Sequence, residues 1–93
     1  MPIFIIRVEL NNAASNDYAR LDPVMEKEGF ERTITADDGV KYQLPTGEYY
    51  RLAQLTGQQI RQSGENAANK IGKGCAIVVT ESNAVTWNGL KKV

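Results

Sequence analysis

The sequence predicts an α+β sandwich in the order βαββαβ, with a four-stranded antiparallel sheet and two helices on one face. Three observations predict it. Apolar residues alternate along the opening stretch, two later stretches carry apolar residues at helical spacing, and Asp37-Asp38-Gly39 separates two β-prone runs. A chain of 93 residues is one domain, 1–93, with no length for a second core.

Ile3–Leu10 reads as a strand. Phe4, Ile6, Val8 and Leu10 point one way, and Ile3, Ile5, Arg7 and Glu9 the other. Asn11–Ser15 is a polar connection. Ser15 or Asn16 can cap the next helix, with Asp17 in its first turn and Gly29 as its stop. Tyr18, Leu21, Val24 and Met25 recur at helical spacing, and Pro23 should kink or restart that helix. Phe30–Ala36 and Val40–Leu44 form a hairpin around the Asp-Gly turn, because Gly accepts positive φ. Pro45-Thr46-Gly47 is a turn or bulge ahead of a strand over Glu48–Leu52.

The sharpest local signature is Leu55-Thr56-Gly57-Gln58-Gln59-Ile60. Thr56 and Gln59 make a capping box, and Leu55 and Ile60 a hydrophobic staple. The helix that follows carries a stripe of Ile60, Gly64, Ala67, Ala68 and Ile71, small enough in its middle to lie close to a sheet, and Gly72 and Gly74 end it. Cys75–Thr80 is a continuous apolar run, expected as a central strand paired on both edges. Val85-Thr86-Trp87 is expected as a short extension strand before the polar end. In a domain this small the order of elements suits a ferredoxin-like sandwich. Its open face would show Ile3, Ile5, Arg7, Glu9, Thr33, Thr35, Lys41 and Gln43. Mixed faces of that kind are interfaces, so a homodimer is expected.

Composition removes whole classes of chemistry. There is no His and one Cys, so Cys/His zinc sites, disulfide frameworks, histidine acid–base catalysis and Ser-His or Cys-His nucleophiles are excluded. Eleven basic and eleven acidic residues cancel, which argues against a non-specific polyanion binder. The cancellation conceals an asymmetry. Residues 1–40 hold four basic and eight acidic groups, net −4, and residues 41–93 hold seven and three, net +4. The apolar run Pro2–Ile6 is too short for a signal-peptide core, and a cytoplasmic location is expected.

Few residues can carry chemistry. Arg7 and Glu9 share one strand face; they suit phosphate stabilisation and a base or metal ligand, or simple surface ion pairing. Asp37 and Asp38 suit magnesium, or merely the turn. Lys41, Tyr42, Tyr49, Tyr50 and Arg51 interleave aromatics with cations, the pattern that stacks bases and holds phosphates; β-strands favour tyrosine in any case. Arg32 joins that group if the hairpin folds back. Cys75 reads as a small buried apolar residue, and Trp87 as a lid or an interface anchor.

Several segments taken together resemble a known group. They are Ile3-Phe4-Ile5-Ile6-Arg7-Val8-Glu9-Leu10, Met25-Glu26-Lys27-Glu28-Gly29-Phe30-Glu31-Arg32-Thr33-Ile34, Asp38-Gly39-Val40-Lys41-Tyr42-Gln43-Leu44-Pro45-Thr46-Gly47-Glu48-Tyr49, Val79-Thr80-Glu81-Ser82 and Thr86-Trp87. The chain is similar to the GhoS endoribonuclease antitoxins of type V toxin–antitoxin systems. That resemblance implies a bacterial protein with a ferredoxin-like fold akin to the CRISPR-associated Cas2 proteins. It also implies cleavage of the single-stranded messenger RNA of a partner toxin. In-line displacement at a phosphodiester would then use Arg7, Arg32 and Arg51 to stabilise phosphorane charge. Glu9 or Asp38 would be the base, or would hold magnesium, the one cofactor the residues suit. A different class of function is a non-catalytic dimeric module that neutralises a protein partner by masking its surface. A metabolite-binding role lacks any Gly-rich phosphate loop.

Overall fold

The computed structural model describes residues 1–93. The order is β1 (Ile3–Leu10), α1 (Asp17–Lys27), β2 (Thr33–Thr35), β3 (Lys41–Gln43), β4 (Glu48–Leu52), α2 (Gly57–Lys70) and β5 (Cys75–Ser82). The strands form a three-stranded antiparallel sheet, β4-β1-β5, and a separate two-stranded hairpin, β2-β3. The fold is therefore α+β with two helices, as expected, but the sheet is not one continuous unit of four strands. Glu31 and Tyr50 exchange backbone hydrogen bonds at 2.8 Å, which brings the chain entering β2 beside β4. The ladder does not extend beyond that single bridge, so the hairpin stays a separate sheet.

β1 is central. Phe4, Ile6, Val8 and Leu10 face the helices and are at most 5% exposed, packed with Leu21 and Met25 of α1 and with Ile60, Ala67 and Ala68 of α2. Alternation places Ile3, Ile5, Arg7 and Glu9 on the opposite, open side. α2 lies close over β5 because Gly64 has no side chain: a methyl there would collide with Ile77 Cδ1. The capping box forms as expected. Thr56 Oγ1 accepts from Gln59 N–H at 3.1 Å, and Gln59 Oε1 accepts from Thr56 N–H at 2.9 Å.

α1 starts differently from the expectation. Asn16 makes no side-chain cap, and Ser15 lies outside the helix. Instead the buried Asp17 carboxylate accepts Ala14 N–H at 2.7 Å and pairs with Arg20 at 3.1 Å and Lys73 at 3.2 Å. These contacts tie the start of α1 to the turn after α2. The Ala14 hydrogen bond, with Lys73 and Arg20 behind it, holds the Asp17 carboxyl below its ordinary value of 3.8 despite its burial. α1 runs through Pro23 as one element.

Two further expectations are corrected. β5 pairs only with β1 and is an edge strand, not a central one. Its apolar run misleads because only Cys75, Ile77 and Val79 face the helices, and Val78 is 62% exposed. Val85–Trp87 is not a strand. The pairing falls later, where Tyr42 bridges to Lys92, Gln43 N–H donates to Lys91 O at 2.8 Å and Val93 N–H donates to Lys41 O at 3.0 Å. The tail thus backs the hairpin. No helix is long and apolar enough to cross a membrane.

Candidate nucleic-acid interface

The residues expected to act together fall into three environments. Arg7 and Glu9 stand on the open side of β1, both exposed. Arg7 lies opposite Glu48 of β4 and Val78 of β5, and neither Arg7 nor Glu9 enters an ion pair within 4.0 Å. Their side chains are free for a ligand.

Arg32 is in a different position. Its guanidinium donates to Pro45 O at 2.8 Å, Glu48 O at 2.7 Å and Leu44 O at 2.9 Å. Its Nε lies 3.4 Å from Asp22 Oδ2, and its Cζ lies over the Tyr49 ring, 5.6 Å from the centroid. A residue with its donors given to three carbonyls of one loop shapes that loop. Sequence could not show this, because the carbonyls lie 12 to 16 residues away. Asp38 sits at the hairpin tip and accepts Val40 N–H at 3.0 Å, beside Gly39 at φ +87°. That is the side-chain hydrogen bond of a turn residue. Arg7, Glu9, Arg32 and Asp38 are therefore not assembled into one centre within a protomer. No three acidic or thiol side chains are grouped to hold a metal ion.

The tyrosine cluster splits by strand parity. Tyr49 faces the helices with no exposure, and its hydroxyl donates to Asp22 Oδ1 at 2.5 Å. Burial, and then the Asp22 carboxylate, push its phenol far above the ordinary range. Tyr49 cannot stack a base, which corrects its place among the expected RNA contacts. Arg51 is also on the helix side, 5.2 Å over the Phe30 ring and packed on Gly29. Tyr50, one residue along from Tyr49, turns to the open side opposite Ile5.

There it meets a cleft of about 530 Å³. Ile3 and Tyr50 line it from the sheet, and Ile34, Thr35, Ala36 and Asp37 from the hairpin. Asn83–Trp87 closes the remaining side. Tyr42 packs on Trp87 with ring centroids 5.6 Å apart and planes at 59°. Ile34 pairs with Tyr42 across the hairpin and is buried outside the main core, so the hairpin has its own small apolar layer. The bridge between Tyr42 and Lys92 puts Lys92 on the Tyr42 side. Lys41 and Lys91, one position away along the same pairing, turn to the opposite face. The site is thus an aromatic-walled cleft on the open side; Lys92 is the tail lysine on the Tyr42 face, and no lysine lines the cleft itself. Trp87, read from the sequence as a lid or an interface anchor, stands as a wall of the cleft. Lys92 is the part that sequence reasoning does not reach, because its place is readable only once its pairing with β3 is known.

Cys75 is half-buried, and its thiol is pushed up by burial and by the nearby Glu65 carboxylate, which leaves it a poor nucleophile.

No known protein-family model matches the chain, and no curated protein does.

Proposed function

We propose that this chain binds single-stranded RNA in the Tyr50–Trp87 cleft and acts as an antitoxin-like endoribonuclease, the activity implied by its resemblance to the GhoS-like group. The observation that carries the proposal is the half-buried aromatic lining of the cleft, Tyr50 and Trp87 with Tyr42 packed on Trp87, and Lys92 on the Tyr42 side. Bases stack on aromatic faces with little regard to sequence, and nearby cations hold the phosphates. A ferredoxin-like arrangement fits the same chain. The order β5-β1-β4, extended by the Glu31–Tyr50 bridge toward β2, follows the course of that sheet with its outer hairpin bent away.

Cleavage in this reading falls to the free side chains of the open face. Arg7 lies about 13 Å from Ile3 along β1, at roughly 3.3 Å per residue, so one short RNA segment reaches both the cleft and Arg7. Arg7 stabilises the charge of the phosphorane, Glu9 takes the proton from the attacking 2′-hydroxyl, and the P–O5′ bond breaks as the 5′-oxygen takes a proton from water, leaving a 2′,3′-cyclic phosphate and a 5′-hydroxyl end. A base and a cation working without histidine give modest rates.

Trp87 is the only tryptophan, so its fluorescence reports on the cleft directly. Single-stranded RNA is expected to change that emission saturably. Tyr50→Ala is expected to weaken binding about 5- to 150-fold, the worth of one stacking contact. A defined RNA should be cut by the wild type and cut more slowly by Arg7→Ala at unchanged binding. No saturable binding would end the proposal; binding without cleavage, with and without magnesium, would remove its catalytic half.

A second reading is a non-catalytic module that masks a protein partner. It is favoured by Leu52 and Val78, which are 49% and 62% exposed on the open side. A stoichiometric protein partner that competes with RNA would support it.

A further inference from the structure

We infer that the free edge of β5 joins a second copy of this chain, making a continuous six-stranded antiparallel sheet across a two-fold axis. The inference does not depend on RNA binding.

The backbone phase comes from one hydrogen bond. Asn11 N–H donates to Gly74 O at 2.9 Å, continuing the β1–β5 register that pairs Leu10 with Cys75. In an antiparallel ladder each residue turns its N–H and C=O to the same neighbour, and the next residue turns away. Gly74, Ala76, Val78 and Thr80 therefore face β1. Cys75, Ile77, Val79 and Glu81 direct their N–H and C=O outward. No turn, loop or side-chain hydrogen bond reaches the backbone of these four.

Exposed edges are normally blunted by lysine, proline, bulges or brevity. β5 has none of these. It is eight residues long, pairs with β1 without interruption, and carries a single charge, Glu81. The other side of the sheet is guarded, since Glu31 already occupies the Tyr50 backbone.

The strand is complementary to itself in antiparallel sense. Helix-facing residues must oppose helix-facing residues, so odd positions pair with odd. The register centred on Val78 meets this condition and pairs Cys75–Glu81 of one copy with Glu81–Cys75 of the other. Ile77 then opposes Val79, and Val78 opposes Val78 on the open side. The antiparallel sense also keeps the two Glu81 side chains at opposite ends of the pairing. A parallel pairing would set Glu81 against Glu81. The exposed Val78 is thereby covered, and both open faces lie on one side of the extended sheet.

Sedimentation equilibrium and amide hydrogen exchange test this. The wild type is expected at about twice 10.3 kDa. In that dimer the amides of Ile77 and Val79 are protected, as those of Ala76, Val78 and Thr80 are. Val78→Lys is expected to give a monomer with unchanged far-ultraviolet circular dichroism, in which the outward-facing amides, Ile77 and Val79 most clearly, lose protection while those of Ala76, Val78 and Thr80 keep it. Leu52→Lys, on the same face but on β4, is expected to remain dimeric. A monomeric wild type overturns the inference. So does dissociation by Leu52→Lys, which would mean face-to-face stacking, or free exchange of Ile77 and Val79 in a dimer. None of these residues lines the cleft, so failure of RNA binding leaves these readouts unchanged.

Discussion

The two sides of β1 differ in what their residues are for. On the helix side, Phe4, Ile6, Val8 and Leu10 are shut away beneath both helices. On the open side, Arg7 and Glu9 make no ion pair, and Tyr50 and Ile3 look into a cleft. The same strand thus separates residues that hold the fold from residues left over for a ligand. Alternation at a period of two achieves this with no loop or second domain. Two adjacent tyrosines show the consequence: Tyr49 is a core residue with a buried hydroxyl, and Tyr50 is a wall of the cleft.

Breaking the helix side should cost the most. Phe4→Ala is expected to destabilise the protein by about 3–5 kcal/mol, read from the denaturant midpoint, because a fully buried aromatic leaves a cavity. Arg32→Ala comes next, at about 2–3 kcal/mol, since three loop carbonyls lose their charged donor. That variant separates two roles for Arg32. A structural residue loses stability first, with cleavage per folded molecule retained; a catalytic one loses rate at unchanged stability. The open side should be nearly silent by the same measure, and Arg7→Ala is expected within about 0.5 kcal/mol of the wild type.

Acid probes the seam between α1 and the turn after α2. The Asp17 carboxyl titrates lower in the folded chain than its ordinary 3.8, so the unfolded chain binds its proton first. Its contribution is whole above 3.8 and is lost as pH falls through the lower folded value. Unfolding midpoints collected from neutral pH down to about pH 2 should therefore drop more steeply for the wild type than for Asp17→Asn. Equal slopes would mean that the Ala14, Arg20 and Lys73 contacts do not hold in solution.

Elements whose signals are local were legible. Thr56 and Gln59 find each other three residues apart, and Asp37-Asp38-Gly39 closes a hairpin within five residues, with Ala36 N–H donating to Val40 O at 2.9 Å. Gly47 also announced a break, for a reason the sequence does not contain: a side chain there would press on Val8 O. What depended on distant partners was not legible. Whether Cys75–Thr80 is a centre or an edge depends on which strands reach it, and an apolar run reads the same either way. The candidate catalytic residues are spread over separate places, and residue type alone does not reveal that Arg32 has three carbonyl partners beyond local range. Parity alone would have divided Tyr49 from Tyr50 and Arg51 from the cleft.

The central place of β1 also sets the order in which the chain can fold. Its register joins Ile3 to Ser82, so the first strand in the sequence completes its ladder with the last. Loop-closure entropy must be met before that pairing returns any energy, and chains dominated by such long-range contacts fold slowly for their size. During synthesis Phe4, Ile6 and Val8 leave the ribosome without the strand they pair with and without most of the helix surface they pack on. Until β5 arrives, the most apolar strand of the protein has no partner on one of its edges. The capping box of α2 and the Asp-Gly hairpin form from local contacts, and they are the elements able to organise the intervening chain while β1 waits.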